Sequence, residues 1–323
     1  MDAVILSLLA AGVMAPKPIV VRVLVLNYDP VIEAEGGKRL HEVAGWNDPR
    51  KLTQGYVDDL REVSHGRVQI RIDEWRDLDE WPKKTDGFRY TDEGFLDVIR
   101  KKTKMHEPDG ADYAWTVRST GADRLMDAGK FDELWVFGAP FMGYWESAMA
   151  GPGAFFINGG EYPDIAKKRW AIMGFSYERG VAEMIHNLCH RAENHLKRVY
   201  GSWNEGKPLH AWDAFSARFG KSPVPGVGNC HFPPNGEKDY DYANPRLVPS
   251  NADDWLNDPR LTGKTTMVNC ETWGGPDYQR NYLKWWYKRL PHAEGKDDTG
   301  RPNDWWQLIF RFNDYDAQGK PLR

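Results

Sequence analysis

Two histidines four residues apart, His186 and His190, lie in a stretch whose pattern is typical of a long helix. At about 100° per residue their side chains point the same way, and Glu183 and Glu193 extend this row by about one turn on either side. The four residues fall within an arc of about 80° on a helical wheel. Neutral imidazole and carboxylate oxygen are both good ligands for a divalent ion. The spacing therefore indicates a metal site on this helix.

The histidine row borders the apolar face of the same helix. That face consists of Ile185, Cys189, Ala192, Leu196 and Val199. The row should therefore stand at the edge of the core, which favours a functional site over a solvated face. A solvated row of His, Glu and Arg side chains without metal is the alternative. His195 lies about 180° from His186 and is predicted to be solvated.

A third ligand must come from elsewhere in the chain, and His231 is the preferred candidate. It lies in the loop Asn229–Pro234, which two consecutive prolines would stiffen. A stiff loop loses less entropy when it binds an ion. Glu193 is the rival, and if it does not ligate it could orient a ligand histidine from behind. We predict one zinc ion per chain, with a ligand set drawn from His186, His190, His231 and Glu193.

The residue that follows the first histidine bears on catalysis. The peptidase motif His-Glu-x-x-His has a general base there, whereas this chain has Asn187, which cannot take a proton from metal-bound water. Glu183 and Glu146 are the remaining carboxylates that could act as the base. Glu146 lies in a Gly-rich loop, predicted at residues 138–153.

Composition limits the classes of function. The chain has 323 residues and 41% hydrophobic side chains, so it can form one large domain or two small ones with a sizeable core. A net charge of −4 gives no basic footprint, and nucleic acid is not expected as a partner. The 15 tryptophans suit stacking on sugars, although tryptophan fills protein cores equally well.

The first fifteen residues resemble a processing signal. The apolar run Val4–Ala15 is too short to span a bilayer, and Val13 and Ala15 are small residues suited to a cleavage point. Asp2 and the lack of a basic residue before the run favour the alternative, a buried first strand or a disordered start. With a signal peptide the protein would be secreted or periplasmic. No later segment is apolar enough for a membrane span.

The three cysteines are too few for a disulfide scaffold. Cys230 and Cys270 both lie in Gly/Asn-rich loop sequence, and export would permit them to pair. Cys189 faces the core side of the histidine helix and would then be the lone buried thiol. The cysteine spacing excludes a structural zinc site made of Cys pairs.

The elements that must position these residues follow one another regularly up to Gly201. Strands are predicted at Ile19–Asn27, Val68–Ile72, Leu134–Phe137, Ala154–Ile157 and Trp170–Phe175. A helix that opens at Asp48 and Pro49 joins the first two strands, which predicts a parallel pair. The histidine helix follows the last strand, from about Tyr177 to Tyr200. Residues 202–323 are loop-rich, with short helices that carry Trp255, Trp285, Trp286, Trp305 and Trp306.

This order of elements, ending in a helix with His186 and His190, resembles the zincin metallopeptidases over roughly residues 19–200. The resemblance implies an α+β fold, a mixed sheet with an active-site helix, and a third zinc ligand from later in the chain. In that family an edge strand before the helix binds the peptide main chain. Ala154, Phe155 and Phe156 stand in its place here. Asn187 replaces the family's glutamate base, so an active enzyme would need another carboxylate.

Together these features predict a secreted, metal-dependent hydrolase that acts on a peptide or glycopeptide. Residues 1–15 would be a signal peptide, residues 16–201 a zincin-like half with the metal helix, and residues 202–323 a loop-rich half packed over the site. One alternative is a non-catalytic zincin-like protein that binds carbohydrate in a Trp-lined cleft. Another is a glycan-active enzyme that uses two of the carboxylates Glu146, Asp213, Asp239 and Asp241.

Overall fold

A computed structural model describes residues 17–322. The predicted signal peptide lies outside these residues. The helices are α1 Leu40–Ala44, α2 Pro49–Val63, α3 Asp92–Ile99, α4 Tyr113–Ser119, α5 Ala122–Asp127, α6 Val181–Tyr200, α7 Ala211–Phe215, α8 Cys270–Trp273, α9 Tyr278–Lys288 and α10 Trp305–Phe310, with 3-10 turns at Glu33–Glu35, Ala252–Asn257 and Phe312–Asp314.

The strands are β1 Ile19–Tyr28, β2 Val31–Ile32, β3 Lys38–Arg39, β4 Val68–Leu78, β5 Glu133–Gly138, β6 Ser147–Ala150, β7 Glu161–Tyr162, β8 Trp170–Ser176, β9 Val248–Ser250, β10 Thr266–Val268, β11 His292–Lys296 and β12 Pro302–Asp304. Six of them form one sheet in the order β4-β1-β5-β8-β6-β7. The protein is therefore a mixed α/β fold around a mostly parallel sheet.

The parallel part of the sheet follows from its apolar strands and its helical crossovers. Strands β4, β1, β5 and β8 are mutually parallel, as predicted for β1 and β4. The crossover between β1 and β4 contains α2, which begins at Pro49 after Asp48 accepts the backbone N–H of Arg50. Strand β5 is buried at every position, as expected for a strand covered on both faces.

The fourth predicted strand, Ala154–Ile157, is wrong. The strand at this point in the chain is β6, Ser147–Ala150, which runs antiparallel to β8 and lies inside the segment expected to be a loop. Its small residues are fully buried, so they form a strand through burial and not through β-branched propensity. Ile157 is buried without joining a strand, whereas 53% of the Phe156 side chain is exposed.

Helix α6 begins at Val181, four residues later than predicted, and ends at Tyr200 before Gly201, whose φ of 81° closes it. Its apolar face is buried, as expected. The prediction that His195 is solvated is wrong, since only 2% of it is exposed. Two rings from outside the helix, Phe155 and Phe312, pack against His195 and account for the difference.

The second half of the chain packs on α6. Helices α9 and α10 both contact α6, and one hydrophobic core runs through both halves. The five tryptophans noted there, Trp255, Trp285, Trp286, Trp305 and Trp306, are all buried. They fill this core, which is the ordinary role of large aromatic side chains.

The pairing of Cys230 with Cys270, which the sequence left open, is not formed, because all three cysteines are free and buried. Cys230 lies instead beside Cys189 on α6. Burial raises the pKa of both thiols, and the hydrogen bond between them lowers the pKa of Cys189 and raises that of Cys230. No helix among residues 17–322 combines the length and the apolarity that a bilayer crossing requires.

Candidate metal site

Three histidines and a cysteine converge on one side of α6. His186, His190, Cys230 and His231 each offer a ligand atom, and these four atoms lie within 4.8 Å of one another. Nε2 of His190 is 3.0 Å from Nε2 of His231, and Nδ1 of His186 is 3.4 Å from Sγ of Cys230. Imidazole nitrogen and thiolate sulfur are the donors that zinc prefers, so this group could hold a metal ion.

The rings are arranged around a common point. The centroids of His186 and His190 are 4.6 Å apart, and those of His190 and His231 are 4.7 Å apart, with the rings steeply inclined in both pairs. The His186 ring lies 5.2 Å from that of His231, at an angle of 22°. Two ligands one helical turn apart and a third from a distant loop are typical of a zinc site.

The loop that carries Cys230 and His231 is fixed by helix α9 and by its own side chains. The Tyr282 hydroxyl lies 2.9 Å from the carbonyl oxygens of Val227 and Asn229. The Tyr242 hydroxyl donates to the Cys230 carbonyl at 2.7 Å. The loop is therefore stiff, as expected, but buried tyrosine hydroxyls from both sides supply much of this rigidity in addition to the prolines.

Glu193 stands behind the histidines and is not part of the four-residue group. Its carboxylate accepts the backbone N–H of Cys230 at 2.6 Å and lies 3.1 Å from Nδ1 of His190. A carboxylate at this position holds the imidazole proton on Nδ1 and directs the Nε2 lone pair toward the ion. Glu193 therefore matches the orienting role that the sequence left open for it.

Burial keeps two of the imidazoles neutral, which is the form that binds metal. The pKa of His186 is lowered to about 3, first by burial and then by the charges of His190 and His231. Burial also lowers the pKa of His231. Burial acts in the same direction on His190, but its hydrogen bond and charge interaction with Glu193, together with the charge of Glu146, outweigh burial and raise its pKa.

A cleft of about 230 Å³ opens beside the first turns of α6. Glu146 and Glu183 line it, together with Asn187 and the segment after β5. Burial raises the pKa of Glu146, and the nearby charge of Glu183 adds to this effect while that of His190 opposes it. The Glu146 carboxylate also accepts a hydrogen bond from Asn158. Both candidate bases therefore line this cavity, whereas none of the four residues of the metal group does.

Asn187 has a structural contact in place of a catalytic one. Its amide donates to the carbonyl of Gly174 at 2.8 Å, which ties α6 to strand β8. The side chain is only 6% exposed. The position at which the peptidase motif has a glutamate is thus used to dock the helix on the sheet.

Several predicted site residues lie elsewhere. Ala154, Phe155 and Phe156 do not line this cleft, and Phe155 packs near the other end of α6 against His195. Asp213 is fully buried and accepts the backbone N–H groups of Asn204 and Leu209. These positions therefore do not contribute to the cleft that Glu146 and Glu183 line.

The other two carboxylates considered for glycan chemistry lie in the loop after His231. Asp241 accepts from the backbone of Glu237 and from the amide of Asn244. The Asp239 side chain is 61% exposed and approaches Nδ1 of His231 to 3.8 Å. Their contacts are those of loop and surface residues.

Three residues at the site were not singled out in the sequence as functional. Cys230 directly precedes His231, and adjacency to a candidate ligand was the signal available for it. The Tyr240 hydroxyl lies 3.2 Å from Nε2 of His231, on a backbone with φ of 59°. The Gln279 amide is 3.3 Å from Glu183 and 3.4 Å from Nδ1 of His186. Nothing in the spacing of Tyr240 or Gln279 indicates these contacts.

The sequence matches no protein-family model, and no curated protein is detectably similar to it.

Proposed function

We propose that the protein is a metal-dependent hydrolase whose ion is held by His186, His190 and His231. The observation that carries this proposal is the convergence of two histidines from α6 with a third from a loop 41 residues further on. When bound, a divalent ion would polarise a substrate carbonyl and lower the pKa of a water molecule to about 7. Zinc is the ion that this donor set favours.

Glu146 is the residue that we propose as general base. It lines the cleft beside α6, and burial raises its pKa, which favours a group that takes up and returns a proton. The hydrogen bond from Asn158 would keep its carboxylate oriented. Glu183 is less suited, because it is already engaged with Gln279 and lies 3.8 Å from Arg179.

A zincin-like core is part of this proposal, and the sheet supports it. Four parallel strands are followed by an antiparallel strand, β6, next to the strand that leads into the histidine helix. The outer edge of β6 is covered, since the backbone N–H of Met149 donates to the carbonyl of Gly160 at 3.2 Å and β6 pairs with β7. We therefore infer that a peptide or glycopeptide would lie in the cleft near Glu146 without extending the sheet.

The first test is elemental analysis of the purified protein beside the double variant His186→Ala/His190→Ala. We expect about one zinc per chain in the wild type and none in the variant. If neither protein takes up metal after zinc is added, the metal site and the hydrolase proposal both fail.

The second test compares Glu146→Gln with Glu161→Gln, an exposed glutamate on β7. Cleavage of a mixed peptide library, followed by mass spectrometry, should fall by roughly 100-fold or more in the first variant and stay unchanged in the second. Both variants should keep their zinc. Equal cleavage in wild type and Glu146→Gln would exclude Glu146 as the base.

A closed structural zinc site is the second candidate, and the position of Cys230 favours it. Cys230 is buried within the group, and a fourth protein ligand would leave no open position for water. Cobalt substitution distinguishes the closed site from an open three-histidine site. A thiolate-to-cobalt absorption band that disappears in Cys230→Ser would indicate the closed site. Its absence would favour three histidines and an open position.

A further inference from the structure

A second cavity, of about 240 Å³, lies toward the other end of α6, away from the metal site. Its walls come from the C-terminal turns of α6, the residue before β8, the segment around Phe155 and the last described residues of the chain. This volume is large enough for a small organic ion with several waters. None of the four residues of the metal group lines it.

Two arginines give this cavity positive charge that no carboxylate neutralises within residues 17–322. Arg198 has neither a hydrogen bond nor an ion pair from its guanidinium to any described residue, and its main contact is the face of Phe155 at 4.2 Å. Arg169 donates to Asn313 and to the carbonyls of Gly153 and Phe312, all of them uncharged acceptors. Burial and the neighbouring charge of Arg198 lower the pKa of Arg169.

Among residues 17–322, Asp316 is the carboxylate on the cavity wall, and it is already engaged. Asp316 accepts the backbone N–H groups of Gln318 and Lys320, both at 2.9 Å, and so closes a turn. It forms no ion pair with Arg169 or Arg198 in the described part of the chain. The cavity therefore keeps a net attraction for anions.

His195 adds a hydrogen-bond acceptor to the same wall. It is buried, and its Nδ1 lies 2.8 Å from the carbonyl of Arg191, so the ring proton is held on Nδ1. Nε2 is then a lone pair, and it has no partner among residues 17–322. A buried acceptor of this kind is matched by a ligand that brings an O–H donor.

We propose that this cavity is a binding site for a small oxyanion that also carries a hydroxyl group. The guanidinium groups of Arg169 and Arg198 pair with the oxyanion, since planar guanidinium matches carboxylate and phosphate oxygens. Nε2 of His195 accepts the hydroxyl proton, and the rings of Phe155 and Phe312 contact the rest of the ligand. Hydrogen phosphate and 2-hydroxycarboxylates share this chemistry.

The test is isothermal titration of the full-length protein with inorganic phosphate, glycolate and acetate. The double variant His186→Ala/His190→Ala is titrated in parallel, so that binding at the metal group is recognised. We expect one saturable site for phosphate or glycolate in both proteins, and a difference between the two ligands shows which source is preferred. Acetate, which lacks the hydroxyl, should bind at least tenfold more weakly than glycolate.

Charge-matched variants locate the site. Arg198→Gln should weaken binding at least tenfold, whereas Arg61→Gln, which removes an exposed arginine on α2, should have no effect. The imidazole nitrogen signals of His195 in histidine-labelled protein should shift on addition of the bound ligand. The proposal is overturned if no ligand saturates, if Arg198→Gln binds like the wild type, or if binding disappears in the double histidine variant.

Discussion

At the scale of single residues, Glu193 is the group on which the metal site depends most after its ligands. It holds the His190 ring and the backbone of Cys230 with one carboxylate. We expect Glu193→Gln to lower zinc affinity by about 10- to 100-fold, because the amide cannot fix the Nδ1 proton and accept from Cys230 equally well. Competitive zinc titration against a chromophoric chelator measures this change.

The matched control for that variant is Glu178→Gln, which removes a carboxylate from the loop just before α6. Its zinc affinity should equal that of the wild type. If Glu193→Gln also binds zinc with unchanged affinity, the carboxylate has no part in orienting the ligands, and the site is held by the loop alone.

The carboxyl group of Asp258 leads to a separate prediction about how the stability of the fold depends on pH. Burial, together with the nearby charge of Asp297, raises its pKa from 3.8 to about 6. A carboxyl whose pKa is raised in the folded state stabilises the fold below its unfolded pKa, and this contribution is lost as pH rises toward 6. The full shift would be about 3 kcal/mol, but the group is only partly buried, so we expect about 1 kcal/mol.

Urea denaturation at pH 4 and pH 7.5 tests this effect. The unfolding free energy of Asp258→Asn, minus that of the wild type, should increase by about 1 kcal/mol from pH 4 to pH 7.5. The control is Asp298→Asn, which changes an exposed residue in the loop after β11. Its unfolding free energy should equal that of the wild type at both pH values. An unchanged difference between Asp258→Asn and wild type would mean that Asp258 titrates normally in the folded protein.

At the scale of elements, sequence patterns identified the parts of the fold that follow from local physics. Strand β1 is a β-branched run, α2 has its Asp48 cap and Pro49, and α6 has a long apolar face and a glycine stop. Strand β6 was missed because Ser147–Ala150 has no strand-like composition and is defined only by its neighbour β8.

The same limit applies to the site. The spacing of His186 and His190 is visible in a helix, and stiffness around His231 indicated the right loop. The contacts of Cys230, Tyr240 and Gln279 depend on how the second half of the chain folds back on α6. The periodicity of a single sequence does not indicate long-range contacts of this kind.

Besides the Asn187 amide, a buried ion pair joins α6 to the sheet. The guanidinium of Arg191 lies 2.6 Å from the carboxylate of Glu133 on β5, although the two groups are not aligned as a regular hydrogen bond. Arg191 also donates to the Ile309 carbonyl. Arg191→Met should lower the unfolding free energy by about 3–5 kcal/mol, because the buried Glu133 carboxylate keeps its hydrogen bond from Trp135 but loses its counter-charge.

Chemical denaturation of three variants separates the pair from simple packing. Arg191→Met/Glu133→Gln should recover much of the loss, since it removes both charges. Arg179→Gln, at an exposed arginine before the helix, serves as the control and should change the unfolding free energy by less than about 0.5 kcal/mol. If the double variant is as unstable as Arg191→Met, the loss comes from packing and not from an uncompensated charge.

At the scale of the whole molecule, the metal group joins two parts of the chain that are distant in sequence. His186 and His190 belong to the helix docked on the sheet, whereas Cys230 and His231 belong to a loop held by α9. An ion that binds only this folded arrangement stabilises it by mass action. Free zinc at 100 times its dissociation constant would contribute about 2.7 kcal/mol.

Thermal unfolding with and without a chelator tests this coupling. We expect chelation to lower the Tm of the wild type by about 4 °C, since an unfolding entropy of about 2.1 cal/mol/K per residue makes 1 kcal/mol correspond to roughly 1.5 °C in a chain of 323 residues. The variant His231→Ala should have a Tm near that of the chelated wild type, and added zinc should not raise it. A zinc-dependent rise in Tm that persists in His231→Ala and in His186→Ala/His190→Ala would mean that the ion binds elsewhere, and that α6 and the loop are held together by α9 alone.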